Sequence, residues 1–373
     1  MSRAALLIAR CAARLLPASL RDWGRAMTAE TRAIDGQIAA TMFALGCLGC
    51  ALRARLLFHL ATKEETRMDV LSGRPRRLAM ACATGATGLG LVWMAAAGAP
   101  HRYLAVNALA LILGLLAIVV LTRVGDVRRG IVDLMLAGLL LLTALVGVSA
   151  DGVTRWVAVG GVMLQPSLVL LPILALRFAG SRDGLSTLAI LLAALALALQ
   201  PDRAMAGALA AALAVLALFR PERNVLLALG GAGAALAATL LRADPSPAVP
   251  FVDQIFFTAF ALHPLAGMAV AGGALLLLVP AAAGLAGDRE HRMSHAVFGT
   301  IWLGVILAAM LGNYPTPVVG YGGSAILGYL VSLLGLPIRA EGGAAGRQGA
   351  ARTADPETSM DSLRTGIPIA HSA

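Results

Sequence analysis

The stretch Asp244-Pro-Ser-Pro-Ala-Val-Pro-Phe-Val-Asp253 is a short polar break between two long apolar segments, and the fold follows from how it is read. The chain re-enters apolar sequence at Ile255-Phe256-Phe257, so Asp253 is a carboxylate held at a membrane surface. An ionisable group next to hydrocarbon is expensive and usually functional, which makes Asp253 the first candidate for chemistry. The plainer alternative is that it ends a loop in water.

Composition supports the membrane reading. With 59% hydrophobic residues, 13% charged and a mean hydropathy of +0.82, the 373 residues cannot form one soluble core. The net charge of +10 would point to nucleic acid in a soluble protein. Here the arginines cluster between apolar runs, as in cytoplasmic loops, and no nucleic-acid partner is implied. Cys47 and Cys50 have C-x-x-C spacing inside an apolar run, without a second pair at zinc-site spacing, so packing is their expected role; Cys11 and Cys82 are isolated. The six histidines form no ligand motif, and no organic cofactor is expected.

From Leu78 onward the apolar runs have spanning length. Spans are expected at roughly 78–98, 103–122, 130–149, 162–178, 185–200, 203–219, 224–241, 262–286, 295–312 and 322–338, about ten helices in all. Alternate loops carry the positive charge: Arg74 to Arg77, then Arg123 with Arg128 and Arg129, Arg177 with Arg182, Arg220 with Arg223, and Arg289 with Arg292. That asymmetry places both termini in the cytoplasm and Asp253 outside. Asp133 and Asp202 fall near span ends and read as solvated or helix-terminal carboxylates.

Residues 1–76 read as a leader and linker, opening with a basic amphipathic helix around Arg3, Arg10 and Arg14 that lies on the inner membrane face. The apolar run at 38–60 carries Arg53 and Arg55 and reads as an interfacial or core helix, with a membrane span as the lesser alternative. Residues 77–338 form the transmembrane domain, and 339–373 a disordered cytoplasmic tail.

Four stretches share the outer side: Asp151 to Ser167, Gln200-Pro201-Asp202, Pro250 to Asp253, and Pro315 to Ser324. TRWVAVGGVMLQPS resembles the RWI-x-L-G-x-x-x-x-QPSE stretch of the SEDS family, the FtsW, RodA and SpoVE proteins of bacterial division, elongation and sporulation. LQPDRAMAGAL is similar to that family's EPDLGTAL turn, PFVDQIFFTAFALHPLAG to PHTDFIFAVIAEELGLLG, and TPVVGYGGSAIL to LPFISYGGSSLL. Order, spacing and sidedness agree over roughly residues 78–338, and ten helices is also the family's number.

The resemblance implies a glycosyltransferase of the cytoplasmic membrane that polymerises lipid II into peptidoglycan, partnered by a single-span class B penicillin-binding protein. It places the family's essential carboxylate at Asp253, as a base or as the ligand of a divalent Mg or Mn ion. Arg155 and Arg203 become candidate phosphate partners, with interfacial anchoring as the alternative role. Trp156, Gln165, Asp202, Tyr321, Gly322, Gly323 and Ser324 complete the candidate substrate-binding set. The family pattern is trimmed here. The outer loop before the carboxylate is about a dozen residues long. Phe251, Val252 and Gln254 replace the neighbours of the essential aspartate, and Leu168, Gln200, Leu262 and His263 stand where the family has glutamates. A non-catalytic envelope scaffold or undecaprenyl-lipid binder is therefore the alternative. A secondary transporter ranks behind both, for want of an inverted repeat and of an intramembrane charge relay.

Overall fold

The computed structural model describes residues 3–16, 20–37, 39–51, 75–123, 129–150, 152–242 and 247–337. The chain divides into a unit of Met1–Pro337 and one of Ile338–Ala373. The expected tail, most of the linker at 52–74 and the first half of the break at 243–246 lie outside the described residues.

Three short helices come first: α1 (Arg3–Leu15), α2 (Arg21–Ala33) and α3 (Ala39–Ala51). Small side chains let them approach closely, with Ala5 and Ala9 of α1 packed on Ala40 and Ala44 of α3. The bundle then runs through α4 (Pro75–Ala96), α5 (His101–Leu121), α6 (Arg129–Val146), α7 (Pro166–Ser181), α8 (Gly184–Leu199), α9 (Arg203–Phe219) and α10 (Arg223–Leu240). After the Asp253 break come α11 (Ile255–Leu262), α12 (Pro264–Leu276), α13 (Val279–Gly287), α14 (Arg292–Leu311) and α15 (Gly323–Ser332), the last continued by a 3-10 turn to Gly335.

Among the described residues, α4, α5, α10, the α12–α13 pair and α14 are long and apolar enough to cross a bilayer. The helices α6, α7, α8, α9 and α15 are shorter but equally apolar. Together they account for the ten expected segments, and the protein is an all-α, multi-pass membrane protein.

One expectation about the spans needs correction. The sequence around 148–164 does not extend the flanking spans; it forms three antiparallel strands, β1 (Val148–Ala150), β2 (Val153–Val159) and β3 (Val162–Leu164), in the order β1-β2-β3. Valine and threonine favour the extended backbone, and Gly160 and Gly161, both at positive φ, make the two-residue turn between β2 and β3. The expected span at 262–286 is matched by the α12–α13 pair over Pro264–Gly287. It is interrupted at Leu277 and Leu278, just before Pro280, and the Tyr329 hydroxyl of α15 donates to the buried carbonyl of Leu277 at 3.0 Å.

The two ends of the bundle are pinned differently. Arg76, at the start of α4, donates to the carbonyls of Leu334 and Leu336 at 2.8 and 2.7 Å, so the bundle's first and last residues meet at one end, the end the charge pattern assigns to the cytoplasm. Asp133 lies there as well, and it is not solvated. It is buried, ion-paired with Arg177 of α7 and bonded by the Ser186 hydroxyl of α8 at 2.8 Å. The pair holds three helices together where no water is available to solvate the carboxylate.

Candidate functional site

At the opposite end Asp253 closes a tight turn. Its backbone N–H and that of Val252 both donate to the Val249 carbonyl, and its Oδ2 accepts the Val249 N–H at 2.8 Å. The residue is only 8% exposed, so it does not end a loop in bulk water. Phe251 and Gln254, on either side, both sit at positive φ (65° and 55°), and so does Val318 opposite (67°). A β-branched residue pays heavily for that conformation, and strain of this kind persists only where surrounding contacts hold it, most often at functional sites.

Those contacts come from the segment 313–322. Asp253 and Pro315 form an antiparallel bridge, the Thr316 N–H donates to Val252 at 2.9 Å, and the Tyr321 N–H donates to Phe251 at 2.6 Å. The Tyr-Gly-Gly turn is thereby fastened to the turn that carries the carboxylate. Gly320 has no room for a side chain, since a Cβ there would lie 2.5 Å from Ile255 and 2.9 Å from the Thr316 carbonyl. Gly322 adopts a φ of 153°, which side chains disfavour. Asn107 of α5 clasps the turn from the other side, donating to Gly320 O at 2.7 Å and accepting from Gly322 N at 3.0 Å. Tyr321 stacks on Tyr103 at 3.7 Å between ring centroids, and Phe251 wedges between Tyr103 and Trp93. Burial pushes the Tyr321 hydroxyl above its ordinary value, with Tyr103 adding to the rise and Arg102 opposing it.

The turn leads directly into a second polar cluster. The Ser324 hydroxyl accepts the backbone N–H of Gln165 at 2.8 Å, and the Gln165 amide donates to Asp202 at 2.9 Å. Ser167 donates to the same Asp202 oxygen at 2.6 Å, while the other carboxylate oxygen caps α9 through Met205 N at 3.2 Å. Asp202 is therefore not a solvated span end. It is a buried N-cap whose partners are all neutral, and it joins α7, α9 and α15.

The two arginines take backbone and aromatic partners. Arg155 is 3% exposed on β2, with its guanidinium 4.9 Å from the Trp156 ring. Arg203 donates to the carbonyls of Thr239 and Arg242 at 3.3 and 2.8 Å, closing the C-terminus of α10, while its Nε is buried with no partner. It stands at the mouth of a hollow of about 500 Å³ between α9 and α14, whose other polar rim residues are Asn313 and Tyr314. Gln254 donates to Asn313 at 2.7 Å, so the residue next to Asp253 touches the rim of that hollow.

Tyr321, Gly322 and the Asp253 turn thus meet directly, and Ser324, Gln165 and Asp202 follow through Gly323. Arg203 adjoins the hollow; Arg155 and Trp156 sit apart against α6 and α7. Sequence reasoning passed over Asn107 and Tyr103. The legible signal was a lone amide inside the apolar run of α5. Among the described residues no three acidic, histidine or cysteine groups converge as metal ligands, and Asp253 is the carboxylate the turn would offer a divalent ion.

Fold and site define the class: a multi-pass helical membrane protein with a strained acidic turn at one end, fastened to a glycine-rich turn and flanking a hollow. No family model and no curated protein matches the sequence. Among solved structures the chain is similar to the rod shape determining protein RodA of Thermus thermophilus, at 23% identity and a TM-score of 0.48, over 69% of this chain and 93% of that one. An aspartate-to-alanine mutant of the same RodA gives 24% and 0.48, over 69% and 94%. A chain from a peptidoglycan synthase complex, described for its coordination of polymerization and crosslinking, gives 23% and 0.47, over 70% and 96%.

Proposed function

We propose that the protein is a trimmed SEDS-like glycosyltransferase that polymerises lipid II at the outer face of the cytoplasmic membrane, in division or cell-shape maintenance. The observation that carries this reading is Asp253. The position matching the family's essential carboxylate is buried in a strained turn, fastened to the matching Tyr-Gly-Gly turn, one residue from the rim of a hollow.

Asp253 accepts the proton of the acceptor sugar hydroxyl as that oxygen bonds to the donor's anomeric carbon. The bond from that carbon to the lipid pyrophosphate breaks, and the pyrophosphate leaves with the electron pair. Arg203 stands at the mouth of the hollow, where a departing pyrophosphate gains from its charge. Asn107 and Tyr103 touch the turn rather than substrate, and their part is to keep the carboxylate in place. A divalent Mg or Mn ion, if bound, would be held by Asp253 together with the substrate pyrophosphate and would supply Lewis-acid stabilisation of the leaving group. A single-span class B penicillin-binding protein is the partner this reading calls for.

A second reading, a lipid-binding scaffold without catalysis, is favoured by one feature: apart from Arg203, Asn313 and Tyr314, the hollow is walled by Ala, Gly and Leu. Purified protein in nanodiscs, supplied with lipid II, separates the two. Glycan strands on a gel support the enzyme; retention of lipid II with no strands supports the scaffold.

A further inference from the structure

The N-terminal helices carry a feature that the outer site does not use. At Gly24 the helices α1 and α2 touch, with a Cβ there only 3.0 Å from that of Ala13. Beside this contact lies a hollow of about 890 Å³ into which Arg14 of α1 and Arg25 and Arg32 of α2 converge. On α2 the residues Arg25, Thr28 and Arg32 recur at helical spacing, so two arginines share the face that lines the hollow. Arg25 pairs with Asp22 on the open surface, whereas no hydrogen bond or ion pair among the described residues engages Arg14 or Arg32. Within 3–51 there are six arginines against three acids, Asp22, Glu30 and Asp35.

Three guanidiniums around one hollow repel each other, and an anion with several oxygens relieves that repulsion. Position selects which anion. The module is tied to the start of α4 by residues 52–74, a connection of at most about 80 Å. The start of α4 lies at the end assigned to the cytoplasm, where Arg76 holds the turn that ends α15. Trp23, adjacent to the cleft-lining Gly24, is 61% exposed, and Leu20 and Leu7 are exposed as well. Trp23 lies on the face of α2 away from Arg25 and Arg32, and an exposed amphipathic ring there suits a membrane–water interface, where anionic lipid attracts the charge of the pair of helices.

We infer that the α1–α2 cleft is a binding site for the phosphate head group of an anionic phospholipid of the inner leaflet, seated on Arg14, Arg25 and Arg32. The site stands independently of the outer chemistry.

The test uses the full-length protein in neutral detergent, titrated with phosphatidylglycerol, phosphatidylcholine, inorganic phosphate or single-stranded DNA and read by native mass spectrometry. The wild type is compared with the triple variant Arg14→Gln/Arg25→Gln/Arg32→Gln, whose melting temperature checks that these exposed changes leave the fold intact. The expected result is one phosphatidylglycerol bound by the wild type and not by the variant. Affinity should fall about fivefold per arginine, on the order of a hundredfold for all three, with phosphatidylcholine indifferent to the change. Equal phosphatidylglycerol binding by both proteins would overturn the inference. So would tighter arginine-dependent binding of DNA, or of inorganic phosphate, than of the lipid.

Discussion

The two ends of the bundle satisfy buried carboxylates in opposite ways. At the end assigned to the cytoplasm, Asp133 pairs with Arg177, and Asp288 sits among His291 and His295 in the loop before α14. At the outer end, Asp202 accepts only from an amide, a hydroxyl and a backbone N–H, and Asp253 Oδ2 accepts from the backbone of its own turn. A fixed positive partner locks a carboxylate into one electrostatic role. Neutral donors hold Asp202 in place without a countercharge. The end assigned to the cytoplasm is built as a clamp, and at the opposite end Asp202 is held without one.

The contrast can be broken by mutation. The largest effect belongs to the clamp: Arg177→Met leaves Asp133 buried without its cation and should cost about 3 kcal/mol, seen as a lower melting temperature in detergent. Combining it with Asp133→Asn should recover most of the loss. At the outer end Asp202→Ala removes a helix cap and orphans the Gln165 and Ser167 donors, at about 2 kcal/mol. Asp202→Asn keeps an acceptor and should cost less than half of that. Equal damage from Asn and Ala would mean that the charge itself is structural there, and the contrast would fail.

The smallest effect is a pH dependence at Asp288. Burial alone would raise its carboxyl, but hydrogen bonds from the His291 side chain and backbone, helped by the charges of His291 and His295, outweigh burial and hold it below the ordinary value of 3.8. A lowered folded-state pKa contributes stability above the unfolded value and loses it as pH falls through the folded one. Asp288→Asn should therefore be less stable than wild type at neutral pH by less than about 1 kcal/mol, His291 being partly exposed. Acid melts should show the difference closing below the ordinary aspartate range.

Much of this architecture is written in the apolar runs, since hydropathy alone marks the ten segments. Asp253 and the Tyr-Gly-Gly turn were legible for the same reason: each interrupts hydrocarbon-length sequence at one side. The sheet at 148–164 was not, because Val and Trp beside a span read equally well as its continuation. Depth was also hidden. Asp133 stands 44 residues from Arg177, and only the packing of α6 on α7 brings them together. The bonds of Arg203 to the carbonyls of Thr239 and Arg242 were hidden too, since backbone acceptors leave no mark in a side-chain pattern.

The central claim, that Asp253 is the base of a sugar-polymerising site, meets its most direct test in the rate of lipid II polymerisation by wild type and Asp253→Asn in the same nanodiscs. Asparagine keeps an oxygen for the Val249 N–H, so the turn survives while the basic charge is gone. The account predicts unchanged melting and a rate lower by 10²–10⁴-fold, on the order of what general-base catalysis supplies. Strands made equally fast by both proteins would contradict it.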